Sequence, residues 1–112
     1  MKKCILVVQT NPVPGLEDEF NDWYTNRHLA DVLKVPGFKS AQRFTLAQND
    51  GASKWKYLAI YEFESDAPER ILEDYLVKAA GTSEMVMSEG MDMQSFSAVP
   101  WVSISEKLAA KS

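Results

Sequence analysis

A chain of 112 residues, 46% hydrophobic and 25% charged, has the length and composition of one globular domain, residues 1–112, with no room for a second. Twelve Lys and Arg against sixteen Asp and Glu leave a net charge of −4 and no basic cluster, which argues against nucleic acid and against an anionic membrane surface as partners. One cysteine, Cys4, and one histidine, His28, make neither an internal disulfide nor the donor set of a structural zinc site, so no metal is expected.

The first expected element is a strand. Lys3 to Thr10 (KCILVVQT) is short and rich in β-branched residues, and Asn11-Pro12 ends it. The apolar run from Cys4 to Val8 is too short for a signal-peptide core, and nothing approaches a membrane span, so a soluble cytoplasmic protein is expected. From Leu16 the spacing turns helical. Leu16, Phe20, Trp23 and Arg27 share a stripe, and Phe20, Tyr24 and His28 form the adjacent row four residues apart. Glu17, Asp18 and Glu19 suit the positive end of the helix dipole, and Val35-Pro36-Gly37 stops the helix.

Phe38 to Leu46 and Trp55 to Phe63 alternate, are rich in aromatics, and flank Asn49-Asp50-Gly51, which predicts a hairpin. Asp66-Ala67-Pro68-Glu69 reads as a helix start with Asp66 as N-cap and Glu69 closing a capping box. Ile71, Leu72, Tyr75, Leu76 and Ala79 continue that helix to Gly81. Thr82 to Gln94 holds four of the five methionines without a clean period, and a short helical turn or mobile segment is expected there. Phe96 to Ile104 is the last strand, with Pro100 placing it at an edge or bulge.

The order β-α-β-β-α-β predicts an α+β fold, a ferredoxin-like protomer with a four-stranded antiparallel sheet and two helices on one face. Both faces of the strands are apolar: Ile5 and Val7 oppose Cys4, Leu6 and Val8, and Leu58 and Ile60 oppose Tyr57, Ala59 and Tyr61. Two helices cover one face, so the other predicts a homodimer.

His28 is the side chain whose ordinary pKa lies nearest neutrality. Asp31, three residues on, could orient the imidazole, and Tyr24, one turn back, offers a hydroxyl. A base, an orienting carboxylate and a hydroxyl suffice for proton abstraction beside a carbonyl. From spacing alone, a charged cap on the carbonyls of a helix end is the favoured reading of this position. Arg43 could fix a carboxylate or phenolate, whereas Arg27 reads as a solvated surface charge with Asp31 four residues away. Tyr57, Tyr61 and Trp55 share a face of their strand, and Trp23, Tyr75 and Trp101 could approach them to line a small-molecule cavity. Such aromatics more often serve a packed core than a pocket. Glycine-rich phosphate loops and the nucleophile elbow are absent, and Cys4 lies in an apolar strand.

Phe20-x-x-Trp23-Tyr24-x-x-x-His28-Leu29-x-Asp31-Val32-Leu33-x-x-Pro36-Gly37-Phe38 resembles the first-helix signature of the dimeric α+β barrel superfamily, particularly EthD-like proteins. The pattern departs from the commoner form in its Trp-Tyr pair and in Leu29 and Ala30, where a proline is often found. The resemblance implies a sheet packed face to face with its twin and a cavity between sheet and helices that His28 faces. It implies a cofactor-independent lyase, cyclase or isomerase acting on an oxygenated aromatic or lactone-like small molecule. A cofactor-free or haem-dependent oxygenase, or a non-catalytic ligand-binding accessory dimer, shares that architecture.

Overall fold

The computed structural model describes residues 1–111. Strand β1 (Lys2–Pro12) runs through the middle of an antiparallel sheet, pairing with β3 (Tyr57–Ser65) on one side and β4 (Met91–Val102) on the other; β2 (Phe38–Thr45) pairs with β3. The order β2-β3-β1-β4 is that of a ferredoxin-like sheet. Strand β4 is an edge, so Pro100, opposite Leu6, faces a chain that needs nothing from its missing N–H on the outer side.

Register decides the two faces. Cys4, Leu6 and Thr10 of β1 and Ala59, Tyr61 and Phe63 of β3 are buried beneath the helices, against Phe20, Tyr24, Val32 and Ile71. Each large side chain sealed there contributes about 1.5–3 kcal/mol. Ile5, Val7, Leu58 and Ile60 point the other way, joined in register by Phe44, Val99 and Trp101, which are exposed. The core under the helices lies on the first face; this second face is apolar apart from Gln9, Gln42 and Glu62, with residues 105–107 beside Ile5 and Trp101.

The first helix spans residues 17–32 but is not uniform. It is α-helical over Glu17–Trp23, widens to a π-helical turn over Tyr24–His28, and returns to α over Leu29–Val32. The second, residues 68–79, opens as 3-10 at Pro68–Arg70, widens at Leu72–Leu76 and closes as α at Val77–Ala79. Its expected capping box does not form. Proline sets the helix start one residue later than expected, Ala67 takes the N-cap position without a side-chain bond, and the Ala67 N–H is satisfied by Ser65 Oγ at 3.0 Å. Asp66 instead lies 3.6 Å from the N-terminal ammonium.

The segment before β4 also differs from expectation. The last strand starts at Met91, five residues before Phe96, and residues 80–90 cross over the first helix. Trp23 Nε1 donates to the Val86 carbonyl (2.8 Å), Val13 N donates to the Gly90 carbonyl (2.7 Å), and Met85 and Met91 are buried. These ties come from backbone groups, which is why no side-chain period announced them.

Gly37 makes the turn into β2 with φ +93°, and a Cβ there would lie 2.5 Å from the Glu64 carbonyl oxygen. Gly51, φ +83°, has open space around it. Left-handed backbone costs a side chain about 1–2 kcal/mol at either position. Gly37→Ala should therefore destabilise clearly more than Gly51→Ala in urea denaturation, because only at Gly37 must β3 also move.

Candidate active site

The wide turn of the first helix assembles the site. Five residues along an α-helix, a side chain has rotated about 140° beyond a full turn and cannot face its starting residue. In the π-helical turn the Leu29 N–H reaches the Tyr24 carbonyl, five residues back, and residues five apart come into line. Trp23 consequently stacks on His28, ring centroids 4.5 Å apart and planes 26° from parallel. Tyr24 meets the imidazole edge-on at 4.8 Å and 89°.

His28 is 8% exposed, and its Nδ1 is buried with no hydrogen-bond partner. Burial among these rings disfavours the charged imidazolium and holds the pKa down to about 4; Asp31 pulls it upward and Arg43 adds to the downward push. The imidazole is neutral at pH 7. It caps no carbonyl, and the helix continues past it.

Asp31 does not bond to His28. It is buried, with Oδ1 accepting from Lys34 Nζ (3.3 Å) in the turn after the helix; Oδ2 lies 3.5 Å from Arg27 Nε on its own helix but accepts no hydrogen bond. The ion pair with Arg27 follows the four-residue spacing. Asp31 acts on the imidazole only through space. Together with Tyr75 it lines a cleft of about 490 Å³ between the end of the first helix and the second, floored by Val35 and Met85.

Beneath Tyr24 lies Tyr61 of β3, whose hydroxyl donates to the Tyr24 hydroxyl at 3.2 Å. Both phenols are sealed, and desolvation pushes their pKa values up, so both stay protonated. The Tyr24 O–H itself has no acceptor among the described residues. Over the Tyr24 ring sits the Arg43 guanidinium, 4.6 Å from the ring centroid, 5.2 Å from that of Tyr57 and 5.4 Å from that of Phe20.

Sequence reasoning missed the residues that hold this arrangement. Asn21 and Thr25, one turn apart on the first helix, accept from Arg43 through Asn21 Oδ1 (2.9 Å) and Thr25 Oγ1 (2.9 Å). Asn21 Nδ2 in turn donates to the Tyr57 hydroxyl (3.1 Å), which donates to Glu17, and Lys56 pairs with Glu17 at 2.6 Å. A polar row at four-residue spacing was the available signal, but it reads as a solvated helix face until β2 is placed beside it.

Three expected lining residues lie elsewhere. Trp101 sits opposite Ile5 in register, so it projects from the outer face of the sheet, 58% exposed, and cannot meet His28. It borders a separate cleft of about 580 Å³ beside Lys3, Lys39 and Ser103. Tyr75 belongs to the cleft beside Asp31, and Trp55 precedes β3 with Lys54 over its ring. His28, Tyr24, Trp23, Tyr61 and Arg43 are brought together, with Tyr57 at their rim.

An EthD family protein from Bacillus halodurans C-125 superposes with a TM-score of 0.59 at 14% identity, over 96% of this chain and 100% of that one. A DABB family protein with a ferredoxin-like fold from Mesorhizobium loti MAFF303099 gives 0.46 at 12% identity, over 94% and 100%. A curated relative, core atranone cluster (CAC) protein 1 of Stachybotrys chlorohalonatus (strain IBT 40285), is 40% identical over 48 residues, 43% of this chain. That stretch spans a fifth of the relative's length. No helix among the described residues is long and apolar enough to cross a membrane. The fold is shared with the EthD family protein, and residues 3–98 match the family described as Domain of unknown function (DUF4286), to which the chain belongs.

Proposed function

We propose that two copies of this chain form a cytoplasmic homodimer in which His28 moves a proton on an oxygenated aromatic or lactone-like small molecule, in an isomerisation, cyclisation or elimination. One observation carries this: a buried, neutral imidazole, stacked under Trp23, whose Nδ1 has no partner. An orphaned buried polar atom costs about 1–3 kcal/mol, and a ligand group or a transferred proton that pairs with Nδ1 would offset that cost.

The chemistry follows from the protonation states. A neutral imidazole is already the proton-accepting form, and once protonated in an apolar site it returns the proton readily. The Tyr24 O–H, supported from below by Tyr61, is a donor for the oxyanion that develops as the proton leaves. Asp31 stabilises the transient imidazolium through space. Trp23 and residues 80–90 cover the site, and the Trp23–Val86 hydrogen bond is the contact that must open for a molecule to enter.

The experiment is a screen of oxygenated aromatics and lactones in D2O under strict anaerobiosis, with proton exchange or turnover followed by NMR. Exchange that is lost in His28→Ala supports proton transfer. Turnover that needs oxygen makes the protein an oxygenase instead.

Dimerisation rests on the sheet face away from the helices, where Ile5, Val7, Leu58, Ile60, Val99 and Trp101 form an apolar surface. Light scattering at micromolar concentration should give twice the 12.6 kDa chain mass. Trp101→Asp should yield a folded monomer, because Trp101 packs against little in the single chain.

A further inference from the structure

We infer that Arg43 is an anion-binding residue: the molecule that reaches His28 carries an anionic oxygen, a carboxylate or phenolate, that seats on the Arg43 guanidinium. This rests on the acid/base reading of His28 and extends it to the class of substrate.

The guanidinium is half-buried yet has no carboxylate partner among the described residues. Arg27, Lys34, Lys39, Lys56 and Arg70, all more exposed, each pair with an Asp or Glu. The acceptors of Arg43 are all neutral. Nη1 donates to Thr25 Oγ1 and, at 3.5 Å, to the Asn21 carbonyl, and Nη2 donates to Asn21 Oδ1. Of its five N–H groups, the Nε–H and the second Nη2–H have no acceptor, and Nε is not among the sealed polar atoms. The faces of Tyr24, Tyr57 and Phe20 favour a cation without neutralising it. The outcome is a fixed positive charge, braced by Asn21 and Thr25, with donors to spare. A fork of that kind suits a planar oxyanion.

The placement has a consequence for catalysis. Arg43 lies over the Tyr24 ring, and His28 packs against the same ring in a T-shaped pair. Two charges act on the imidazole in opposite senses, Asp31 on its own helix and Arg43 on β2, while Tyr24 and Tyr61 stay uncharged. An anion on Arg43 cancels the unfavourable one. His28 then becomes a stronger base when the substrate is bound and stays inert when it is not, which brings the catalytic group nearer the working pH only at the moment of need.

The test uses three probes on the intact protein: benzoate, 4-nitrophenolate and the uncharged benzamide. Wild type should bind at least one anion at least tenfold more tightly than benzamide, and the tighter of the two identifies carboxylate or phenolate. Arg43→Gln should weaken the anion at least tenfold and leave benzamide unchanged, with Arg43→Lys between. The NMR titration of His28 should move to higher pH with the anion in wild type and stay put in Arg43→Gln. If Arg43→Gln does not fold, Arg43→Lys carries the comparison. Anion binding unchanged by the Arg43 substitutions, equal affinity for benzamide, or no anion binding at all overturns the inference. His28→Ala should still bind the anion. Full turnover by that variant would remove the acid/base reading while leaving the anion site standing.

Discussion

Folding stability should fall by about 3 kcal/mol as pH drops from 6.5 to 4, and this loss should disappear in His28→Phe. In the unfolded chain the imidazole takes a proton near 6.5, whereas in the folded protein burial between Trp23 and Tyr24 delays this to about 4. Between those values the unfolded state binds a proton that the folded state does not, so stability rises with pH through the window. Above 6.5 neither state is protonated there and the full stability is present; below 4 both are, and the penalty is complete. A depression of that size corresponds to about 3 kcal/mol. Denaturant midpoints at pH 7.5, 5.5 and 4 measure it. Phenylalanine keeps a ring beneath Trp23 and removes the titration, so the difference between the two proteins isolates His28 from carboxylates such as Glu17 and Asp74, whose pKa values are also held low. Parallel pH profiles would mean that the imidazole is solvated in solution.

Replacing His28 with Ala should lower turnover by about 10²–10⁴ once a substrate is in hand, the usual worth of general acid/base assistance. Tyr24→Phe should cost less, because it removes one donor to the developing oxyanion and keeps the ring on which Arg43 and His28 rest. Asp31→Asn should cost least, since its carboxylate makes no hydrogen bond to the imidazole and acts on it only through space, with Lys34 and Arg27 as its nearest cations. Steady-state rates for the three variants, each checked for native near-ultraviolet circular dichroism, give the order. Wild-type rates in His28→Ala would reduce His28 to a packing residue.

The fold was legible because alternation survives tertiary context. Period alone separated Ile5, Val7, Leu58 and Ile60 from the residues facing the other way, and the observed register keeps the two sets apart, with the helices on the side of Cys4, Leu6, Ala59 and Tyr61. The site was less so. Helical periodicity assumes 3.6 residues per turn, and on that assumption His28 belongs with Tyr24 and Phe20 while Trp23 lies on another stripe. The π-helical turn at Tyr24–His28 brings Trp23 and His28 together, and no local signal in YTNRH marks it. Asp31 looked like a partner for His28 because three residues suffice for contact on a straight helix; Lys34 and Arg27 compete for it at equally good spacings. Trp101 was misplaced for a different reason. Which face a residue in β4 takes depends on its register with β1, and a strand whose two faces are both apolar leaves that register unwritten until the pairing of Trp101 with Ile5 is seen.

The most direct measurement is the titration of the single imidazole by heteronuclear NMR, with no ligand added. A neutral ring throughout the neutral range, taking its proton near pH 4, is the predicted result. An imidazolium that persists to pH 6.5 or above would contradict the account, because it would require Asp31 to leave Lys34 and Arg27 for His28 and would make the histidine a charged structural anchor instead of a proton acceptor.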